Sequence, residues 1–290
     1  AGRCVGDHGG LMPELPEVET IRRQLAERVV GRTIRGARVS DPRLVDPWEP
    51  DAFAERLEGR QIERIDRVGK YLFIELDGDE ALTLHLRMTG QLLWSDDVPD
   101  PPLPYTRAVI GIEGGGSVTF ADSRRFGTAW FLPREGRARI WAGRTGPDAM
   151  SAAFTARGLG DRLRGRTACA KALILDQRIV AGVGNIYADE ALFMARVNPA
   201  EPGGNLTAAQ VTSLHRAIRD RLRMGITAGG ASFDRYRDVN GERGGMQDLF
   251  RVHRRRGEPC PRCQTTIEKG VVAQRGTYWC PKCQPLMEGD

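Results

Sequence analysis

The chain has no apolar run approaching 18 residues, which excludes a membrane-spanning helix from the expectation. Its first eleven residues, AGRCVGDHGGL, lack the apolar centre of a secretory signal, which points to a cytoplasmic protein. No internal repeat appears, so a solenoid or repeat array is not expected. Cysteine is scarce, six in 290 residues, and four of the six crowd the end as Cys260, Cys263, Cys280 and Cys283. Disulfides are uncommon in a cytoplasmic chain, so that crowding reads first as a metal site. The other two, Cys4 and Cys169, are isolated and read as incidental. A large excess of one charge is also missing: the net charge is +5 and the pI about 9.0, a mild bias toward polyanionic partners.

What is present suffices for two domains and a small appendage, with 40% apolar residues to build their cores. In EVETIRRQLAERVV, Val18, Ile21, Leu25 and Val29 fall on one helical stripe, with Glu17 and Glu19 in the favourable first turn. A second short helix is expected at PDAFAERLEG. The period then drops to two: KYLFIEL alternates Leu72, Ile74 and Leu76, and ALTLHLRM alternates Leu82, Leu84, Leu86 and Met88. Further strands are expected at YTRAVIGI, SVTFAD and TAWFL, so residues 12 to about 140 read as a mainly antiparallel β domain carrying two helices. Past GRTGPDAM the pattern turns helical in TACAKALILDQ, NIYADEALFMA and TAAQVTSLHRAIRDRLRMG, the last opening with a Thr207–Gln210 capping box. The Gly-rich, charged stretch DRYRDVNGERGGMQDLF is expected to be irregular and a mobile lid.

Cys260-Pro-Arg-Cys263 and Cys280-Pro-Lys-Cys283 are spaced as two knuckles that supply four thiolates to one Zn²⁺, a closed and therefore structural site. The residues between them read as a β-hairpin, giving a zinc ribbon. From Phe250 onward Lys and Arg number eight against four acidic residues. With zinc and four thiolates bound, the ribbon keeps a charge of about +2, which suits a polyanion but fits a solvated basic face equally well.

Several motifs occur in one order: MPELPEVE at 12–19, GKYL at 69–72, HLRMTG at 85–90, DSRRFG at 122–127, LDQRIVAGVGNIYADEALF at 175–193, and the ribbon ending AQRGTYWCPKCQ. Together they resemble bacterial formamidopyrimidine-DNA glycosylase along nearly the whole chain from Met12. The resemblance implies an α+β fold with an N-terminal β-sandwich-like domain carrying two helices, over 12–140. A linker, a helix–two-turn–helix domain and a lesion lid would follow over 141–249, and the zinc ribbon over 250–290. It implies a bifunctional enzyme, a DNA glycosylase and abasic-site lyase. Such an enzyme flips out and excises oxidised purines (8-oxoguanine, formamidopyrimidines) from duplex DNA and then cuts the abasic strand by β,δ-elimination. The implied partner is damaged double-stranded DNA, the cofactor one structural Zn²⁺, and the protein a monomer.

By the same resemblance Pro13 is the nucleophile: a secondary amine attacks C1′ and forms an iminium charged without a proton. An α-amino group titrates near about 8, so a useful fraction is unprotonated at neutral pH. Glu14 matches the proton-shuttling carboxylate, with Glu17 helping to position the sugar, and Lys70 matches the lysine on the phosphate beside the lesion. Met88, Arg124 and Phe126 match the trio that enters the duplex where the lesion leaves, offsetting part of the stacking and pairing lost in flipping. Asn185, at the Gly182–Gly184 turn, and Arg275, in the ribbon hairpin, match phosphate contacts, and Lys171 is placed to assist. His85 reads as a core histidine and stays among the DNA-side candidates. The segment 237–247 corresponds to the lid.

Two departures stand out. TGPDAM at 145–150 is an unusual version of the linker, and eleven residues precede Met12. Those eleven are expected to be disordered or foreign to the working protein, with Pro13 freed as its first residue. The alternatives are removal by cleavage, a silent DNA-binding homologue, or an endonuclease VIII-like enzyme for oxidised pyrimidines. Against that last branch stand Leu15 in PELPE and the Met/Arg/Phe trio.

Overall fold

The computed structural model describes residues 12–134, 141, 144–232 and 236–287; the leader expected at 1–11 lies outside them. Helix α1 (Leu15–Val29) buries the expected stripe of Val18, Ile21, Leu25 and Val29 in one core. Leu15, a turn earlier, is buried in a different core, that of the helical half. One helix therefore stitches two apolar clusters together, and its first turn sits where they meet.

The N-terminal half holds eight strands and two α-helices among the described residues. The strands are β1 (Ile34–Val39), β2 (Ile62–Val68), β3 (Tyr71–Leu76), β4 (Glu80–His85), β5 (Gly90–Ser95), β6 (Thr106–Ile112), β7 (Ser117–Asp122) and β8 (Thr128–Pro133), with α2 (Pro50–Glu55) after β1. They form two four-stranded antiparallel sheets, ordered β1-β6-β7-β5 and β2-β3-β4-β8. Both sheets turn apolar residues into one shared core, Leu72, Ile74, Leu82 and Leu84 from one and Leu92, Ile112 and Phe120 from the other. Phe73 and Ala81 point the other way and meet Trp141 on the outer face, so β3 is covered on both sides.

The second half packs α3 (Ala156–Leu163), α4 (Ala170–Leu175), α5 (Asn185–Ala195) and α6 (Ala208–Thr227) around Leu159, Ile174, Val183, Ile186, Leu214 and Ile218. The expected box opens α6: Gln210 N–H donates to Thr207 Oγ1 at 3.2 Å, and Thr207 N–H donates to Gln210 Oε1 at 2.9 Å. The closing hairpin, β9 (Glu268–Val272) and β10 (Arg275–Trp279), turns through Ala273 and Gln274, both at positive φ, and is the expected ribbon. Its small core of Val252, Ile267 and Tyr278 leans on Phe193 of α5. No helix among the described residues is long and apolar enough to cross a membrane.

The expected lid holds only a short 3₁₀ turn at Met246–Leu249, and Asp234 and Arg235 of that stretch lie outside the described residues. Within it, Asp238 and Val239 are anchored to the N-terminal half. The Asp238 carboxylate accepts from Gln24 Nε2 at 2.7 Å, and Val239 N–H donates to Gln24 Oε1 at 3.1 Å. Val239 O accepts from Trp94 N–H at 2.8 Å, so the segment is fastened to both α1 and β5.

Candidate active site and nucleic-acid interface

The first turn of α1 faces the N-terminus of α5. Leu15 N–H donates to Gly182 O at 3.1 Å, and Pro13 is buried beside that contact. The Glu14 carboxylate caps α5, accepting from the N–H groups of Gly184 at 2.8 Å, Ile186 at 2.9 Å and Tyr187 at 3.4 Å. A helix N-terminus offers unpaired N–H groups and a positive dipole end, so it is a natural seat for an acid. Two glycines make the approach possible. Gly182 has φ +109, and a Cβ there would lie 2.4 Å from Leu15 Cδ1. A Cβ on Gly184 would lie 2.3 Å from the Glu14 carboxyl carbon. Gly184→Ala is therefore expected to push the carboxylate off α5 and to cut turnover by about 100-fold or more with a near-normal circular dichroism spectrum. Wild-type turnover in that variant would contradict the placement.

Burial dominates the acid's proton affinity. Glu14 is raised from 4.5 to about 7 because desolvation and the nearby Glu17 outweigh Lys70 and the helix N–H groups. Glu17 is also raised by burial, though it accepts from Glu14 N–H at 2.9 Å, Tyr187 hydroxyl at 2.9 Å and Ala231 N–H at 2.7 Å. Glu17 thus joins the first turn of α1, the face of α5 and the segment after α6. Sequence reasoning misses Tyr187, because an aromatic inside NIYADEALF looks like ordinary core.

Lys70 sits at the β2–β3 turn and is buried; desolvation lowers its pKa while Glu14 and Glu17 oppose the drop. Arg275, from the ribbon, lowers it further, so strand turn, helix start and hairpin converge on one place. The unusual linker holds that turn. Asp148 accepts from Gly69 N–H at 2.7 Å and pairs with Arg67 at 2.5 Å, and Arg67 also pairs with Glu19 at 3.0 Å. In the sequence Asp148 is only part of a departure, TGPDAM; its grip on the Lys70 turn is visible in three dimensions alone.

His85 is buried, meets the Tyr71 ring edge-on with centroids 4.3 Å apart, and accepts from Arg87 N–H through Nδ1 at 3.0 Å. Burial, then Arg87 and Lys70, drop it to about 3, so it is neutral at physiological pH. It shapes the turn before Met88 and lies close enough to Lys70 for that charge to act on it.

Met88 is half-buried past the end of β4, and Arg124 and Phe126 project from the β7–β8 loop, Phe126 being 49% exposed. The guanidinium of Arg124 lies 4.9 Å from the Phe126 ring. Asp122 builds this loop, accepting from the N–H groups of Arg124 at 3.1 Å, Phe126 at 2.9 Å and Gly127 at 2.7 Å. The Thr89 hydroxyl also donates to Asp122, which ties the Met88 turn to the same loop. An apolar wedge and an exposed cation are thus presented side by side on a braced scaffold.

Lys171 is placed differently from expectation. It is fully buried, paired with Asp189 at 2.7 Å, and donates to Thr277 Oγ1 at 2.7 Å and Gly276 O at 3.1 Å. All its donors are directed inward, so it fixes the ribbon hairpin beside Arg275 and does not reach out to DNA. Asp189 also meets His253 Nδ1 at 2.8 Å, extending the network behind the hairpin. Asn185 donates to Gly276 O at 3.0 Å, while its Oδ1 is buried with no hydrogen-bond partner among the described residues. Arg275 is exposed at the tip of the hairpin.

The ligand atoms of Cys260, Cys263, Cys280 and Cys283 all lie within 4.8 Å of one another. Four Zn–S bonds of about 2.3 Å in a tetrahedron need sulfurs about 3.8 Å apart. The Cys260–Cys283 and Cys263–Cys280 separations of 3.9 and 3.4 Å fit that need. Arg262 and Cys283 point backbone N–H groups at the Cys260 and Cys280 sulfurs at 3.4 and 3.5 Å, as thiolates require. The chain therefore carries one structural zinc site.

A double β-sheet joined through one helix to a helix–two-turn–helix and a zinc ribbon, with acid and lysine at the junction, is the architecture of a zinc-ribbon DNA glycosylase. The model of the formamidopyrimidine-DNA glycosylase N-terminal domain matches residues 12–129, that of its H2TH domain residues 145–236, and that of the zinc finger found in FPG and IleRS residues 257–286. The chain belongs to the formamidopyrimidine-DNA glycosylase family. It is 48% identical over 281 residues to the formamidopyrimidine-DNA glycosylase of Chloroflexus aurantiacus, covering 96% of this chain and 99% of that protein. Among solved structures it resembles MutM (FPG) from Thermus thermophilus, with a TM-score of 0.83 and 42% identity over 95% of this chain and all of that one. The Lactococcus lactis Fpg in complex with an abasic site containing DNA superposes with a TM-score of 0.88 at 34% identity, over 94% of this chain and 99% of that one.

Proposed function

We propose that this chain excises oxidised purines, 8-oxoguanine and formamidopyrimidines, from duplex DNA through a Schiff base on the Pro13 nitrogen. It then cuts the abasic strand by β,δ-elimination, acting as a monomer on DNA in the bacterial cytoplasm. Residues 12–140 supply the chemistry, 141–249 the grip on the duplex, and 250–290 the ribbon. The observation that carries the reading is Glu14: a carboxyl next to Pro13, capped on α5 and holding its proton to about pH 7.

The Pro13 lone pair bonds to C1′ as the bond from C1′ to the base breaks, and the base leaves with a proton. Glu14 gives its proton to O4′, the sugar ring opens, and the nitrogen, having shed its own proton, becomes an iminium. The iminium acidifies C2′; loss of that proton expels the 3′ phosphate, a second elimination expels the 5′ phosphate, and water releases the proline. Attack needs an amine. In peptide linkage to Met12 the lone pair is delocalised into the carbonyl, so the reacting species is a chain whose first residue is Pro13.

Lys70, Asn185 and Arg275 hold the phosphates around the flipped nucleotide, and Met88, Arg124 and Phe126 fill the gap it leaves. Glu17, Asp148 and Lys171 position these groups, and His85, beside Lys70, belongs to the same DNA-facing set. Incubating protein that begins at Pro13 with a duplex containing 8-oxoguanine is expected to release the free base and leave phosphates on both cut ends. An intact strand would overturn the reading, and faster release of thymine glycol would move the substrate to oxidised pyrimidines.

A further inference from the structure

The loop that presents Arg124 and Phe126 carries a second brace besides Asp122. Between those two residues stands Arg125 at φ +61, a left-handed backbone that residues other than glycine rarely adopt and that persists where its surroundings enforce it. The enforcing group is Asp41. The Arg125 guanidinium grips it with two bonds, Nε donating to Oδ2 at 2.5 Å and Nη2 to Oδ1 at 2.7 Å. Asp41 lies just past β1, 84 residues earlier in the chain, and is 2% exposed. Its carboxylate also accepts from Arg43 N–H at 3.3 Å, which caps a 3₁₀ turn at Pro42–Leu44. The Arg125 bonds, above all, hold that carboxyl below the usual carboxylate range although burial opposes them.

Arg107 of β6 joins the two braces, its Nε donating to Asp122 O at 2.8 Å and standing 3.7 Å from Asp41 Oδ2. Asp122 thus holds the loop by the backbone on either side of Arg125, and Asp41 holds it by the side chain between. A forked guanidinium on a carboxylate fixes direction as well as distance. What this second grip steadies is Arg124, the exposed cation beside the Phe126 ring.

We propose that Asp41 is a positioning residue for reading the base opposite the lesion: through Arg125 it fixes the turn from which Arg124 reaches that base. This rests on the reading that Arg124 and Phe126 fill the gap left by the flipped nucleotide. An orphaned cytosine offers N3 and O2, two adjacent acceptors, whereas an orphaned adenine offers N1 beside the N6 donor. A guanidinium carries donors alone. Held in place, Arg124 pairs with both acceptors of cytosine and meets a donor when adenine stands there. On a loose turn it shifts to satisfy N1 by itself, and the discrimination fades.

The test measures single-turnover excision of 8-oxoguanine placed opposite cytosine and opposite adenine, with protein beginning at Pro13. Asp41→Asn keeps the side chain's size and a cap for the 3₁₀ turn, and is expected to melt near wild type. Arg125→Gln alters a side chain that is 40% exposed, and carries the test where Asp41→Asn melts early. Each is expected to lower the cytosine-over-adenine rate ratio about ten-fold or more. The double variant is expected to lower it no further than either single one, because the pair acts as one unit. A wild-type ratio in a folded single variant, or losses that add in the double variant, would overturn the proposal. Arg124→Ala separates it from the reading beneath. A ratio that collapses in Arg124→Ala but stands in Asp41→Asn overturns the proposal alone; one that stands in both overturns the placement of Arg124 as well.

Discussion

Replacing Glu14 by Gln is expected to lower excision of 8-oxoguanine by roughly 100- to 10,000-fold in single-turnover assays, the range spanned by loss of a general acid–base group. The amide can neither give a proton to O4′ nor take one back. On a preformed abasic site the loss is expected to be smaller, because no base must leave and the sugar already presents an aldehyde. Equal losses on both substrates would show that Glu14 serves binding and not proton transfer. The pH dependence follows from burial. Unfolded, the carboxyl ionises near 4.5; folded, it holds its proton to about 7. The folded state therefore binds more protons across that window, and its stability declines by roughly 3 kcal/mol as pH rises through it. In Glu14→Gln the Glu14 share of this decline is expected to be lost from denaturation midpoints measured between pH 5 and 8, leaving the decline that the likewise raised Glu17 contributes.

Stripping zinc is expected to have the second largest effect. The four thiolates fix both knuckles, and the β9–β10 hairpin between them carries Arg275 and supplies Thr277 and Gly276 to Lys171. Structural zinc contributes on the order of 10 kcal/mol to small modules, far more than a hairpin core of Ile267 and Tyr278 supplies. Chelation is therefore expected to melt the ribbon, leave Lys171 and Asp189 without their cover, and weaken binding to a damaged duplex by at least about 100-fold. The N-terminal sheets share no core residue with the ribbon and are expected to keep their thermal transition. Retained affinity in metal-free protein would contradict the ribbon's part in gripping DNA.

The sequence disclosed most where a pattern had one cause. The stripe of α1 follows from burial on one face, and the alternating aliphatic residues of β3 and β4 enter the shared core although both strands are also covered behind. The box on α6 follows from its unpaired N–H groups, and all three are found where expected. Strand β1, IRGARV, escapes detection because it buries only Ile34 fully, and its pairing comes from β6, some seventy residues away. In β2, IERIDRV, the buried Ile62 and Ile65 are three apart, a helix-like spacing produced by the register shift beside Ile62. Helix α3 carries two glycines, and burial of Leu159 and Leu163 holds it, not propensity.

The candidate site shows the same division. Motifs name Pro13, Glu14, Lys70 and the four cysteines, but they cannot say which side chains face inward. Motif membership alone puts Lys171 among the groups facing DNA, and it is sealed in the protein. Asp148, Asp122 and Tyr187 make their contacts across long stretches of chain or through backbone N–H groups, which no local spacing encodes.

The central claim is that the Pro13 nitrogen, as a free amine, bonds to the sugar. Borohydride reduces an iminium to a stable amine, so trapping on an 8-oxoguanine duplex followed by tandem mass spectrometry locates the bond. Protein beginning at Pro13 is predicted to yield a DNA adduct on Pro13, and protein retaining Met12 and the residues before it to yield none. An adduct of equal yield in both, or one carried by Lys70, would contradict the account.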